Sequence, residues 1–585
     1  MASSRPPSRH ATDPQRAAER ALDRLIAADW EWRLRESPVL ATSVGDPRYD
    51  DRWSDLSFEA IDRRAATLKD RLRRLEGIDR RLLGPKARLN LDLFLHEIRL
   101  AVEGLAFKDD LMPLTQMNGV HQDVADLLQI APRRTVAECE RIVLRLRRVG
   151  LLVDQTMALM RAGAQQGLTP PRVILRTIPE LIANQAVAQP EASPIGRMLI
   201  EDLPADIGEP ARRRLRAAIL RAVGDVVVPA YRRLATFMEE EYLPRARTTL
   251  GISALPEGAA WYAHLIRLMT SCDRSARDIH QTGQDEVKRI RSAMLTTMRT
   301  SGFAGTLPEF FHFLRTEKRF FFSDRDRLLI TYRDICKRID AALPRLFRTL
   351  PRLPYGVVPV PAYSEKVQTT AYYHPGSIEA GRPGYFFANT YDLAARPTWE
   401  MEALAAHEAV PGHHLQISLA QELSDLPAFR RHGHQTAFVE GWGLYSESLG
   451  AELGLYRDPH SDFGRLTYEM WRAIRLVIDT GLHAFGWTRE RAIAFFETNA
   501  GKAGHDITNE VDRYIAWPAQ ALAYKMGEMS IQALRRSAQR ELRSRFDIRA
   551  FHDAVLLAGP LPLPILDRRV RAWIRSRSKA RGTGA

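Results

Sequence analysis

Between Ala17 and Leu350 the apolar residues of this chain recur three and four positions apart. The pattern runs through Ala17 to Leu34, Glu59 to Leu75, Lys86 to Leu105, Thr135 to Ala164 and Glu209 to Tyr242. Such spacing buries one face of an α-helix and does not suit a strand, whose period is two. The chain therefore packs helix on helix. Pro and Gly punctuate the pattern at Gly251 to Gly258, at Gly302 to Thr306 and most densely at Leu350 to Pro361, which holds four prolines. A chain of 585 residues exceeds the length at which one core usually stops growing. The last break is accordingly read as the boundary between a helical lobe at 17–350 and a second lobe at 351–585, after a flexible tail at 1–16 rich in Ser, Pro and Arg. Past the boundary, Val367 to Tyr373 and Gly384 to Thr390 are β-branched and aromatic, and predict a short strand pair. The expected fold is mainly α: a large two-lobed helical bundle with a deep cleft and a small β-sheet.

Composition removes several function classes. The surplus of 85 Lys and Arg over 71 Asp and Glu, +14 in all, could attract nucleic acid. The basic residues, however, are dispersed along helical segments such as Arg212 to Arg216, as on a solvated face, and no nucleic-acid module accompanies them. The three cysteines, Cys139, Cys272 and Cys336, form no CxxC pair, which argues against a disulfide framework and a thiolate zinc site. The polar, basic stretch Met1 to Arg20 has no apolar core of a signal sequence, and no apolar run reaches membrane-spanning length. These features predict a cytoplasmic protein with no membrane span.

The segment WEMEALAAHEAVPGHHLQ, Trp399 to Gln416, leads a helix-forming run into His407, Glu408, His413 and His414. Zinc in catalytic sites takes imidazole and carboxylate ligands and keeps one position open, and a glutamate beside the first ligand can act as general base. In HExxH the two histidines lie one turn apart; here the fourth position after His407 is Pro411. Proline lacks a backbone donor and Gly412 tolerates unusual angles, so a kink or bulge is expected. His414 returns to nearly the same helix face, whereas His413 would need the bulge to swing it round, and spacing alone does not choose between them. Glu440 in FVEGWGLYSE, 26 residues after His414 (440 − 414), is the candidate carboxylate ligand from a following helix. The competing readings are capping or core histidines and a buried carboxylate paired with arginine.

HEAVPGHHLQ, TAFVEGWGLYSESLG, RLVIDTGLHAFGWTRERA and VDRYIAWPAQALAYKMGEMSIQALR together resemble the DUF885 family, a domain of unknown function. The likeness extends to PVLATSVGDPRYDD and PLTQMNGVHQD near the front and FHDAVLLAGPLPLPIL near the end, from about 35 to 575. That family is similar to gluzincin-type zinc metallopeptidases, including oligopeptidases and the angiotensin-converting type. The resemblance implies a clam-like helical bundle holding Zn2+. In the angiotensin-converting type the second histidine is followed by x-Gln, which His414-Leu415-Gln416 matches, so the implied ligands are His407, His414 and Glu440, with His413 as alternate to His414.

Arg475, Asp479 and His483 are four apart and share a helix face, which makes Asp479 and His483 candidates for the shell behind the ligands. Tyr514 or Tyr524 would stabilise the oxyanion, with Arg513 and Lys525 as cationic donors to substrate. Tyr372, Tyr373, His374 and Asn389, on the predicted strands, would bind an extended substrate backbone. The expected activity is zinc-dependent hydrolysis of a peptide or small amide with Glu408 as general base. The alternatives are a metal-dependent amidohydrolase or tailoring enzyme acting on a non-peptide metabolite, and a binding protein that keeps the fold without catalysis.

Overall fold

Several helices begin where the sequence offers a side-chain acceptor for their first free N–H groups. The Ser57 hydroxyl accepts from Ala60 N, and Thr135 and Thr306 each form a reciprocal capping box, with Glu138 and Glu309. The computed structural model describes residues 13–362, 365, 369–501 and 504–579. It is mainly helical from one end to the other, as the apolar spacing predicts. The first helix, Asp13–Glu36, starts inside the expected tail because Asp13 suits the positive end of a helix dipole. Residues 1–12 lie outside the described part. Among the described residues no helix is long and apolar enough to cross a membrane.

One apolar core runs from Leu22 to Ile574 and draws on both sides of residue 350. Phe94 meets Phe429 at a tilt with centroids 5.3 Å apart, and Arg430 donates to Asn90 Oδ1 at 2.8 Å. The site is framed by the second half of the chain. Helix α1 (Ala276–Thr300) packs along α6 (Pro459–Ala484), which is buried on nearly every side from Phe463 to His483. Helix α2 (Arg325–Ala342) backs a three-stranded sheet, where Tyr332 meets Phe386 edge-on at 5.0 Å.

The sheet holds one strand more than the sequence predicts. The order is β1 (Tyr355–Pro359), β3 (Gly384–Ala388), β2 (Ala371–His374), with β1 parallel and β2 antiparallel to β3. Strand β1 comes from the proline-rich stretch read as a boundary; it is an edge strand, where a missing N–H costs no ladder bond. Val367 and Gln368, at the start of the predicted first strand, lie outside the described residues. Strand β2 is the other edge.

The expected kink after Glu408 is a complete break. Helix α3 (Met401–Glu408) ends, Ala409 to Gly412 turn the chain, and α4 (His413–Glu422) restarts it. A Cβ on Gly412 would lie 1.9 Å from His407 O, so only glycine admits this reversal. Helix α5 (Thr436–Leu453) crosses α8 (Ala523–Leu542) at Gly441 and Gly527, where an added Cβ on Gly441 would stand 2.4 Å from Gly527 Cα. This close crossing brings Glu440 and Tyr524 to the same cavity.

Candidate metal centre

His407 occupies the last turn of α3, His413 opens α4, and Glu440 lies near the start of α5. One ligand atom from each falls within 4.8 Å of the others. Glu440 Oε2 stands 3.4 Å from His413 Nε2 and 3.8 Å from His407 Nε2, and the two imidazoles meet edge-on with centroids 4.7 Å apart. His407 Nδ1 is bonded to Glu447 Oε1 at 2.7 Å, which leaves Nε2 facing the cluster. Carboxylate behind imidazole is the arrangement that fixes the tautomer of a metal-ligating histidine. Arg472 in turn lies 3.4 Å from Glu447.

The electrostatics call for a cation at this point. Burial works against a charge on His407, yet the nearby Glu440 carboxylate and the hydrogen-bonded Glu447 raise its pKa to about 9. Burial likewise opposes the charge on Glu440, but the adjacent His407 and His413 imidazoles hold its carboxyl well below the usual range. Glu440 and Glu447 thus draw positive charge onto His407 when no metal competes for it. Two neutral imidazoles and a carboxylate open on one side fit a catalytic zinc site, so the residues present suit the group.

The cluster lines a cavity of about 350 Å³. Glu408, 8% exposed, lines it beside His407. Tyr524 faces it from α8, its ring centroid 6.4 Å from that of His407. The Tyr524 oxygen accepts from Arg513 Nη2 at 3.2 Å and Gln520 Nε2 at 3.4 Å. On the opposite wall run Thr369 to Tyr373, the edge strand β2 and the residues leading into it. Met117, from the front motif PLTQMNGVHQD, also reaches the cavity, and its neighbour Asn118 accepts from Trp517 Nε1 at 3.3 Å.

Other sequence-predicted residues stand elsewhere. His414 faces the sheet instead of the cluster: Nε2 meets Leu353 O at 3.0 Å, Nδ1 meets the Tyr373 hydroxyl at 2.9 Å, and burial pushes its pKa down to about 4. The expectation of equal phase seven residues on fails because the chain reversal resets the helix at His413. Tyr514 is buried away from the cavity, accepting from Trp471 Nε1 at 2.9 Å and Arg475 Nε at 3.1 Å. Asp479 accepts from the Tyr262 hydroxyl at 2.6 Å and from Ala519 N at 3.0 Å, and His483 bonds Ile252 N at 3.1 Å and Tyr514 O at 2.9 Å. Each four-residue step along α6 advances about 6 Å, so of that ladder only Arg475 lines the cavity.

Lys525, about 100° round α8 from Tyr524, is ion-paired with Glu286, Glu469 and Glu528 in a different cavity. Asn389 donates to Glu365 O and Thr369 O and clamps the approach to β2, and His374 turns to Pro375 O at 3.0 Å. Tyr373 and Arg513 do line the cavity. Sequence reasoning missed Glu447, although it lies seven residues after Glu440 and so two turns along the same face. It also missed Arg472 and Glu510, which carry no local signature.

Both front motifs touch this half of the molecule. Arg382, in the loop between β2 and β3, donates to Ser43 O at 3.1 Å, and Ser377 Oγ donates to Val44 O at 3.2 Å. His552, from the late motif, meets Leu346 O at 2.8 Å and the Tyr445 hydroxyl of α5 at 2.9 Å.

The comparisons with known proteins concern this whole architecture. The chain is similar to a crystal structure from Colwellia psychrerythraea described as a "putative lipoprotein", with TM-score 0.91 and 30% identity over 96% of this chain and 99% of that one. A lipoprotein of unknown function from Shewanella oneidensis, so described with the same qualifier, shares the fold at TM-score 0.68 and 16% identity over 94% of this chain and 99% of that one. No curated protein matches the sequence. The family model described as "Bacterial protein of unknown function (DUF885)" matches residues 38–570. The chain therefore belongs to the DUF885 family.

Proposed function

We propose that the protein is a zinc-dependent hydrolase of peptide or amide bonds, built on a fold similar to the helical zinc metallopeptidases. One observation carries this reading: His407 Nε2, His413 Nε2 and Glu440 Oε2 converge at a cavity that Glu408 and residues of the edge strand β2 also line. His407, His413 and Glu440 hold the metal, and Glu447 fixes the orientation of His407. A zinc ion held there would supply an acidified water and a Lewis acid for the carbonyl. Glu408 takes the proton of that water and returns it to the leaving amine. The O–C bond forms, the C–N bond breaks, and the carboxylate ends as it began. Tyr524 donates a hydrogen bond from its phenol to the oxygen on which negative charge develops, while Arg513 and Gln520 fix the phenol in place. Strand β2 pairs with the extended backbone of the substrate.

A volume of about 350 Å³ is near the lower end for ligand pockets. It favours short peptides, and it keeps a small non-peptide amide as the second reading. The three cysteines are unpaired, which suits the cytoplasm as the working compartment. The test is E408Q: turnover of a cleaved amide falls about 10³-fold while zinc content, measured by mass spectrometry of the metal, stays near that of the parent. Full activity in E408Q would refute the role.

A further inference from the structure

The wall of the cavity beyond Tyr524 is unevenly charged. Arg475 and Arg513 both line it, and they share a single carboxylate: Arg475 Nη2 is 2.9 Å from Glu510 Oε2, and Arg513 Nη1 is 3.3 Å from Glu510 Oε1. All three side chains are largely withdrawn from solvent, at 4%, 14% and 6% exposure. The remaining bonds of the two guanidiniums go to neutral oxygens, from Arg475 Nε to Tyr514 and from Arg513 Nη2 to Tyr524 and Gln520. Arg475 Nη1 and Arg513 Nε are buried with no partner among the described residues. The neighbouring Arg472 does not add to the surplus, because it lies against Glu447. Two cations against one anion in a water-poor wall leave one positive charge and buried donors unspent. Guanidinium forks are matched in shape and charge by a carboxylate.

Tyr524 sets the distance between this surplus and the chemistry. Its ring lies 6.4 Å from the His407 ring, and the Arg475 guanidinium lies 4.4 Å from its centroid. An anion held by Arg475 and Arg513 therefore sits beside the phenol, within reach of a short substrate whose carbonyl is placed at His407.

We infer that Arg475 and Arg513 anchor a carboxylate of the substrate close to the cleaved amide, so that the preferred substrates are N-acyl amino acids or short peptides ending there. This rests on the proposed hydrolase reading for the position of the cleaved bond, but the anchor itself can be tested by binding alone. Two sources could supply the carboxylate, the free C-terminus or an acidic side chain, and the probes separate them.

Calorimetry on the zinc-loaded protein would compare N-acetyl-L-phenylalanine, its C-terminal amide, and N-acetyl-L-glutamic acid α-amide. The free acid is expected to bind about 30-fold more tightly than its amide. Tight binding of the α-amide of glutamate would instead assign the anchor to an acidic side chain. In R513Q the preference for the acid should shrink to under about threefold, and in R513K it should fall between the two, because an ammonium keeps the charge without the fork. Equal binding of acid and amide by the parent would overturn the inference. So would an undiminished preference in R513Q and R513K, which would place the carboxylate on the metal. If none of the probes' peptide analogues is hydrolysed while the acid preference and its loss in R513Q hold, the hydrolase reading fails and the anchor stands.

Discussion

Two buried polar clusters lie in the second half of this chain, and they use similar residues to opposite ends. Around Asp479 and His483, every ring nitrogen and carboxylate oxygen is bonded within the protein, to Tyr262, Ala519, Ile252 and Tyr514. Around His407, His413 and Glu440, the atoms turned toward one another are two imidazole nitrogens and a carboxylate oxygen at 3.4 and 3.8 Å, and the group opens on a cavity. The first cluster ties α6 to its neighbours; the second has coordinating capacity left over. Buried histidine and carboxylate alone do not mark a site. Lone pairs left facing a cavity do.

The sharpest break of that comparison lies between adjacent residues. H413A is expected to lower bound zinc from about one equivalent to under about a tenth, while H414A keeps the metal and loses only stability, because His414 clamps Leu353 and Tyr373. Metal analysis of both variants after dialysis checks it, and equal loss in the two would erase the distinction. Replacing Tyr524 by Phe should reduce kcat about 10²-fold with KM little changed, since the phenol acts on charge that develops only in the transition state; steady-state kinetics on a cleaved amide reads this. E447Q leaves the three ligands in place and is expected to weaken zinc about 10- to 100-fold in a chelator competition.

The smallest effect belongs to the closed cluster. D479N should leave zinc and turnover as they are and change only the pH dependence of stability. Burial raises the Asp479 carboxyl to about 7, above its ordinary 3.8. Between those values the folded state holds a proton that the unfolded state has released, so stability falls as pH rises from about 4 to about 7. His483, pushed down to about 4 by burial, is neutral when folded but takes a proton when unfolded below its ordinary 6.5, so in that window it adds a slope of opposite sign that D479N and the parent share, and their difference isolates Asp479. Denaturant melts across it should show a shallower decline in D479N, and a loss of zinc in this variant would mean that the two clusters are one.

Much of this was legible in the residues. Three- and four-residue spacing is a local property, and it gave the helices; His407, Glu408 and Glu440 stand out because zinc chemistry uses few residue types. The x-Gln pattern of the resembling family points to His414, which spacing alone does not separate from His413 because the helix phase past Pro411 is not readable locally. Pro411 and Gly412 reset the phase, and no local rule predicts the new one. Strand β1 was hidden by its prolines, which only its place at the sheet edge makes tolerable. Lys525 was assigned beside Tyr524 on sequence proximity, although neighbours on a helix face different ways. The Arg475, Arg513 and Glu510 wall comes from two helices, α6 and α7 (Gly504–Ala516), and is visible only once they pack.

The most direct test of the central claim is anomalous diffraction at the zinc edge from crystals of the protein grown with zinc. The account predicts a single strong peak within coordination distance, about 2.0–2.2 Å, of His407 Nε2, His413 Nε2 and a Glu440 oxygen, with His414 still turned to Leu353. No peak there, or one coordinated by His414 in place of His413, would contradict it.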